Sequence, residues 1–276
     1  MKTLLAVVTI LLSISCFSQN LMMKAITDNN LAKVKSLVEE KPDIVNKEME
    51  YLSYPLVEAA GMARLDIIKY LVEKGAKLDA KTAATGETAI LKMASAMGSP
   101  NDARKKDYLA TLDYLAGQKL SFSVTDKEGK GPLKILAKKN IRTADVKNYM
   151  EIVNAFIKYG AKLTDRGNAC SLHELLDSPG IPGGDKKTDF GSFEAAKELI
   201  AIGANVNEPD ESKNTPLHVV LLNKKATDDL KVDIVKFLME KGAKATTKNG
   251  DKKSPEDLVK KESPLYDIIK KTKPKK

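Results

Sequence analysis

Two histidines, His173 and His218, and two cysteines, Cys16 and Cys170, are the chain's whole stock of imidazoles and thiols. Cys170 stands three residues before His173. A thiol within hydrogen-bond reach of a base becomes a nucleophile, so a redox or thiol role through Cys170 is the one catalytic reading on offer. Neither histidine lies in a run of further ligands with metal-site spacing. Pro179-Gly180-Ile181-Pro182-Gly183-Gly184 is glycine-rich. It lacks phosphate-loop spacing, and no Lys-Ser or Lys-Thr opens a helix after it. Asp185 and Asp189 lack the alternating oxygens of a calcium loop. Asp126-Lys127-Glu128-Gly129 reads as a turn. The expectation is a non-enzyme with no catalytic set, no metal and no cofactor.

The surroundings of the histidines repeat along the chain. Thr215-Pro216-Leu217-His218 leads to Gly242-Ala243, through Ile234, Val235, Phe237 and Leu238 at helical spacing. Cys170-Ser171-Leu172-His173 leads in the same way to Gly203-Ala204, and Gly131-Pro132-Leu133-Lys134 to Gly160-Ala161. Upstream, Thr88-Ala89-Ile90-Leu91 leads to Gly117, and Tyr54-Pro55-Leu56-Val57 to Gly75-Ala76. The glycines fall at 75, 117, 160, 203 and 242. Each is placed to end a helix in the left-handed conformation. A fixed period of this size is the mark of a repeat architecture.

The unit resembles the ankyrin repeat, whose pattern is T-P-L-H, a helix pair, then G-A. The resemblance covers almost all of residues 19–272. It implies an all-α solenoid of about seven stacked helix pairs, with short β-turn fingers and capping terminal repeats. It makes Thr215, Pro216, Leu217, His218, Leu172, His173, Gly75, Gly160, Gly203 and Gly242 structural motif residues, the histidines joining finger loops and neighbouring repeats. One departure recurs. The interval from the proline position to the glycine is 20 residues in the second pair and 28, 28, 32 and 26 in the next four. The extra residues fall at 95–108, 138–149, 177–192 and 223–231. They lie at the end opposite the fingers, where four insertions would form one ledge. The third, rich in Gly and Pro, is expected to be irregular; the others lengthen helices, pack on one another, or serve as a second surface.

The ends differ from the middle. Leu21 to Asn46 reads as a capping helix pair without the T-P-L-H motif, and Ser254-Pro255 and Ser263-Pro264 each start a closing helix with Ser at N-cap and Pro at N1. Met1-Lys2 and the apolar run from Leu4 to Leu12 have the layout of a secretory signal peptide over residues 1–18. Cleavage would follow Ser18, leaving Cys170 as the one cysteine of the mature chain. Leu12-Ser13-Ile14-Ser15-Cys16 also resembles a lipobox, with Ser13 in place of the usual Leu, which would lipidate Cys16. The reading is an exported bacterial protein, periplasmic or secreted, with an outer-membrane lipoprotein as the lesser alternative and no membrane span.

The partner expected for such an array is another protein. Of 46 basic residues only four are arginines, Arg64, Arg104, Arg142 and Arg166. Arginine is the better fork for phosphate and bases, so the net charge of +9 does not read as a nucleic-acid binder. Five lysines fall in the last seven residues, with 273–276 as a basic tail suited to weak contact with acidic surfaces. The resemblance assigns partner contacts to finger tips and inner-helix faces. Carried over, these are Lys127, Glu128, Arg166, Asp210, Glu211 and Lys248 on fingers, and Glu58, Met62, Lys92 and Lys134 on helices. The function is expected to be a non-catalytic binding scaffold, or an inhibitor or immunity-type protein that occludes one toxin or enzyme.

Overall fold

A computed structural model of the chain describes residues 20–49, 53–97, 105–137, 141–163, 171–177, 181–182, 188–224, 226 and 228–271. Cys16, Arg166, Cys170, Asp185, the proposed leader and the tail beyond 271 lie outside these residues. Helices come in pairs: α1 over 20–27 and α2 (Leu31–Glu40), α3 (Pro55–Gly61) and α4 (Leu65–Glu73), α5 (Ala89–Ala96) and α6 (Lys105–Gly117). The series continues with α7 (Pro132–Ala137) and α8 (Val146–Lys158), α9 (Ser171–Asp177) and α10 (Gly191–Ala201), and α11 (Pro216–Leu222) and α12 (Asp228–Glu240). A 3-10 turn, Pro255–Leu258, and α13 (Pro264–Lys271) make the seventh pair. The described residues divide into two compact units, one of 20–97, 105–132 and 158–160, the other of 133–157 and 161–271.

The local rules are visible in each pair. Inner helices start on a residue with extended backbone, Tyr54, Thr88 or Thr215, and Pro55 and Pro216 follow where a missing N–H costs nothing. Ala59 and Ala60 are fully buried. Small side chains there let α3 approach α4 and α5. Ile67, Ile68 and Leu71 line the inward stripe of α4 and are fully covered. The outer helices α6, α8 and α12 have 13 residues each against nine in α4. Three of the insertions therefore end as added helical turns. The third contains a short antiparallel ladder, Ile181–Pro182 against Thr188–Asp189, where irregular chain was expected.

Within the second unit the insertions touch one another. Gly191, at the start of α10, sits on the backbone of 141–143; a Cβ there would stand 2.2 Å from the Arg142 carbonyl carbon. Asn223, just past α11, donates its amide to the Asp177 carbonyl at the end of α9 (2.7 Å).

Outer helices end by one device. Gly75, Gly160, Gly203 and Gly242 have φ of 82°, 101°, 108° and 90°. The alanine after each donates its N–H five residues back, at 2.9 Å in all four, as in Ala76 to the Leu71 carbonyl. Gly117 corrects the expected register. It remains inside α6, and Lys119 takes the left-handed position with φ 62°, followed by Leu120 N–H donating to the Leu115 carbonyl. The helix ends at Gly117 itself, two residues later than that glycine's expected role requires, and Lys119 stands where the other repeats have glycine. Replacing Lys119 with glycine is expected to stabilise the chain by about 0.5–1 kcal/mol, since relief of the left-handed penalty exceeds glycine's extra unfolded freedom. Thermal unfolding of the variant checks this; an unchanged or lower midpoint contradicts it.

Candidate functional site

Both histidines are joints in the second unit. The Thr215 backbone N–H donates to His218 Nδ1 (3.1 Å), and Thr215 Oγ1 lies 2.8 Å from the same nitrogen. Nδ1 therefore accepts, and the proton sits on Nε2, which donates to the Lys253 carbonyl (3.0 Å). His173 Nε2 contacts the Asn214 carbonyl at 2.9 Å. Asn214 and Lys253 occupy the same place, the last residue before the next inner element. Each imidazole thus reaches the following finger, and His218 also ties in its own helix start, which uses both of its ring nitrogens.

Burial lowers the His173 pKa below its ordinary 6.5, against opposing pulls from the Asn214 carbonyl and Asp210. As pH falls, the unfolded chain takes the proton first. The stability contributed by neutral His173 is fully present above about pH 6.5 and is lost as pH falls towards the folded pKa. Urea midpoints at pH 7.5 and pH 5 should therefore fall further for the native chain than for His173→Gln. Equal pH slopes would remove His173 as the cause.

Two asparagines carry a second kind of joint. Asn46 Nδ2 donates to the Gly75 carbonyl (2.8 Å), and its Oδ1 accepts from Lys77 N–H (2.7 Å). Asn207 does the same with the Gly242 carbonyl (2.9 Å) and Lys244 N–H (2.8 Å). The T-P-L-H motif does not announce these residues. The signal was present in the recurrence of Val-Asn in Val45-Asn46 and Val206-Asn207.

The fingers are closed by their own side chains. Asp126 Oδ1 accepts from Glu128 and Lys130 N–H, Asp210 Oδ1 from Asn214 N–H, and Asn249 Oδ1 from Asp251 and Lys253 N–H. Adjacent fingers are also linked: Lys127 N–H to the Thr85 carbonyl (2.9 Å) in the first unit, Gly250 N–H to Ser212 (2.7 Å) in the second. Asp210 is therefore partly a turn-closing residue, and Lys127 also reaches the Ala83 carbonyl with its ammonium. Glu128 pairs with Lys130. Glu211 and Lys248 stand exposed at finger tips.

On the inner helices the expected contact residues are mostly spent on one another. Glu58 is buried and pairs with Lys92 at 3.1 Å; Lys92 also reaches Glu87 at 3.6 Å. Desolvation by burial acts to lower the Lys92 pKa, but Glu58 and Glu87 outweigh it and the net shift is upward. The Lys92 stem lies against Gly61, where a Cβ would meet it at 2.7 Å. Lys134 pairs with Glu174 at 3.7 Å and its side chain is only 11% exposed. Met62 is half-buried at the end of α3. Glu58, Lys92 and Lys134 are thus engaged with opposite charges of neighbouring helices, which leaves them less available to a partner.

An inner face of the second unit is open. A cleft of about 300 Å³ in the second unit lies between α9, α11 and the finger before α11. His173, Glu174 and Asp177 line it from α9, Asp210 and Asn214 from the finger, and Val219, Leu222 and Asn223 from the α11 side. Leu222 is 45% exposed, one of three large apolar side chains, with Phe190 and Ile202, that stand out among the described residues. Among the described residues no three His, Cys, Asp or Glu side chains converge as metal ligands, and no helix is long and apolar enough to cross a membrane.

The paired helices, left-handed helix ends and finger-to-helix joints define a stacked helix-pair repeat protein. The ankyrin-repeat domain of Bcl-3 superposes with a TM-score of 0.65 at 20% identity, covering 91% of this chain and 97% of that one. The human ASB11 ankyrin domain gives 0.61 at 17% identity, covering 92% and 98%. In sequence, mouse "Ankyrin repeat and SOCS box protein 9" is 42% identical over 74 residues, 27% of this chain and 23% of that protein. Zebrafish "Putative palmitoyltransferase ZDHHC13" is 39% identical over 66 residues, 24% of this chain and only 9% of that protein. Mouse "Protein phosphatase 1 regulatory subunit 27" is 26% identical over 146 residues, 53% of this chain and 82% of that protein. No family model matches the chain. The chain has the ankyrin-repeat fold, in keeping with the repeat signature in its sequence.

Proposed function

We propose that this protein is a non-catalytic scaffold that binds another protein through its finger tips and inner helix faces, outside the cytoplasm. The observation that carries the reading is a contrast between two inner faces. On the face in the first unit Glu58, Lys92 and Glu87 pair with one another, while the cleft beside α11 leaves Leu222 uncovered. Both histidines are occupied by backbone partners, which supports a binding role over catalysis. A relative named as a phosphatase regulatory subunit supports it too. The apolar run from Leu4 to Leu12 behind Lys2 supports export.

Crosslinked capture with the full chain tests the binding reading. A stoichiometric protein partner is expected, lost when Leu222 is replaced by Asp and Glu211 and Lys248 are reversed in charge. Retention of full activity in some enzymatic assay after those changes, with Cys170→Ser abolishing it, would overturn the reading. Fractionation of cells expressing the native chain tests export separately; a wholly cytoplasmic chain would refute it.

A further inference from the structure

We infer that the cleft between α9 and α11 takes an extended segment of a partner protein that carries a lysine or arginine about three residues from a large apolar side chain. The inference rests on the protein-binding reading above and names the partner chemistry. Glu174 and Asp177 lie one turn apart on α9; Val219 and Leu222 lie at the corresponding positions on α11. The repeat sets the two pairs side by side, an acidic pair beside an apolar pair. Asp210 borders the cleft from the finger, and Glu208 is close enough to act on His173 beside it.

Among the described residues the cation paired with these acids is Lys134, 3.7 Å from Glu174. Among the described residues no ion pair is made by Asp177 or Asp210; Asp210 instead accepts from the Asn214 backbone and side-chain amides (2.6 and 3.3 Å). Among the described residues the cleft holds more acid than base, which in a chain of net charge +9 is not a reflection of composition. It complements a cationic occupant and repels an acidic one. Val219 and Leu222 supply the apolar seat that a bare acidic cluster lacks, since Leu222 is 45% exposed and Val219 half-buried. Neighbouring helices pack roughly 8–10 Å apart. An extended chain of the polyproline II kind rises roughly 3.1 Å per residue with about three residues per turn, so side chains about three positions apart share a face and span that distance, which sets the spacing between the cation and the apolar side chain.

A randomised peptide-display library panned on the full chain tests this. The selected peptides should carry Lys or Arg three positions from Leu, Ile, Met or Phe. Their binding should fall at least tenfold on both Asp177→Lys and Leu222→Asp, and should weaken as salt is raised. Circular dichroism matching the native spectrum establishes that each variant is folded, and Asp177→Asn, which removes charge without reversing it, gives an intermediate loss. Selected peptides without a cation, or binding indifferent to both variants, would overturn the inference. If binding responds instead to Glu211→Lys or Lys248→Glu, the scaffold reading stands and this cleft is the wrong surface. Failure to select any peptide on any face sinks both. A dimer of the native chain in sedimentation that Asp177→Lys dissociates would make a second copy the occupant, and would also overturn the inference.

Discussion

Replacing Gly191 with alanine is expected to destabilise the chain by about 3 kcal/mol or more, at or above the usual range for an overpacked core. The added methyl would stand 2.2 Å from the Arg142 carbonyl carbon and 2.4 Å from both the Ile141 oxygen and the Thr143 nitrogen. All three are backbone atoms, so no rotamer change relieves the contact. Either α10 or the segment 141–143 must move, and the contact between two successive insertions is lost. Gly117→Ala is the control. It lies at the end of α6 with nothing within 4 Å of its Cβ position. That change should be neutral or gain up to about 1 kcal/mol from helix propensity. Urea unfolding of the two variants makes the comparison. Similar midpoints would mean that Gly191 does not hold the insertions together.

His218→Ala should cost about 3–5 kcal/mol. The side chain is fully buried. Its loss removes the Nε2 bond to the Lys253 carbonyl and the Nδ1 contacts with the Thr215 N–H and hydroxyl. Each net hydrogen bond is worth about 1 kcal/mol, and each group left buried without a partner costs about 1–3 more. A cavity of imidazole size adds to this. The damage should be local. Hydrogen exchange is expected to speed up over 249–269, the last finger and closing pair, while 55–97 keeps its protection. Uniform acceleration across both segments would show that His218 supports the whole fold and is not a joint between neighbours. His173→Ala should likewise act locally, on the finger it holds through the Asn214 carbonyl.

Much of the fold could be read directly from residue types. The helix pairs, their order and the capping end pairs follow from the spacing of Pro55, Pro132 and Pro216 against Gly75, Gly160, Gly203 and Gly242. A proline at N1 and a glycine with φ > 0 mark opposite ends of a helix pair, and apolar residues at helical intervals mark what lies between. Gly117 shows where this legibility stops. A glycine in nearly the right place was read as the repeat glycine, yet the helix continued and Lys119 took the left-handed turn. Local sequence offers a helix end; the hydrogen bond from Leu120 back to Leu115 decides which residue uses it.

The candidate site was less legible. Glu58, Lys92 and Lys134 sit at positions where a side chain can face the groove, and the sequence shows no more than that. Their charges meet because α3 packs on α5 and α9 carries Glu174 to Lys134, across 34 and 40 residues of chain. A pairwise Coulomb term depends on distance in space, which periodicity within one repeat does not encode. The same holds for Leu222, whose exposure depends on what the neighbouring repeat leaves uncovered. The sequence by itself determined the repeat unit, the proline starts and most of the glycine stops of its helices, and the place of both histidines in the motif, while the closing helix expected at Ser254-Pro255 is a short 3-10 turn. The tertiary structure alone decided which charges cancel, which insertions touch, and that the face beside α11 is open. Each repeat specifies its own helices through local backbone preferences, but its surface is completed only by the side chains its neighbours bring.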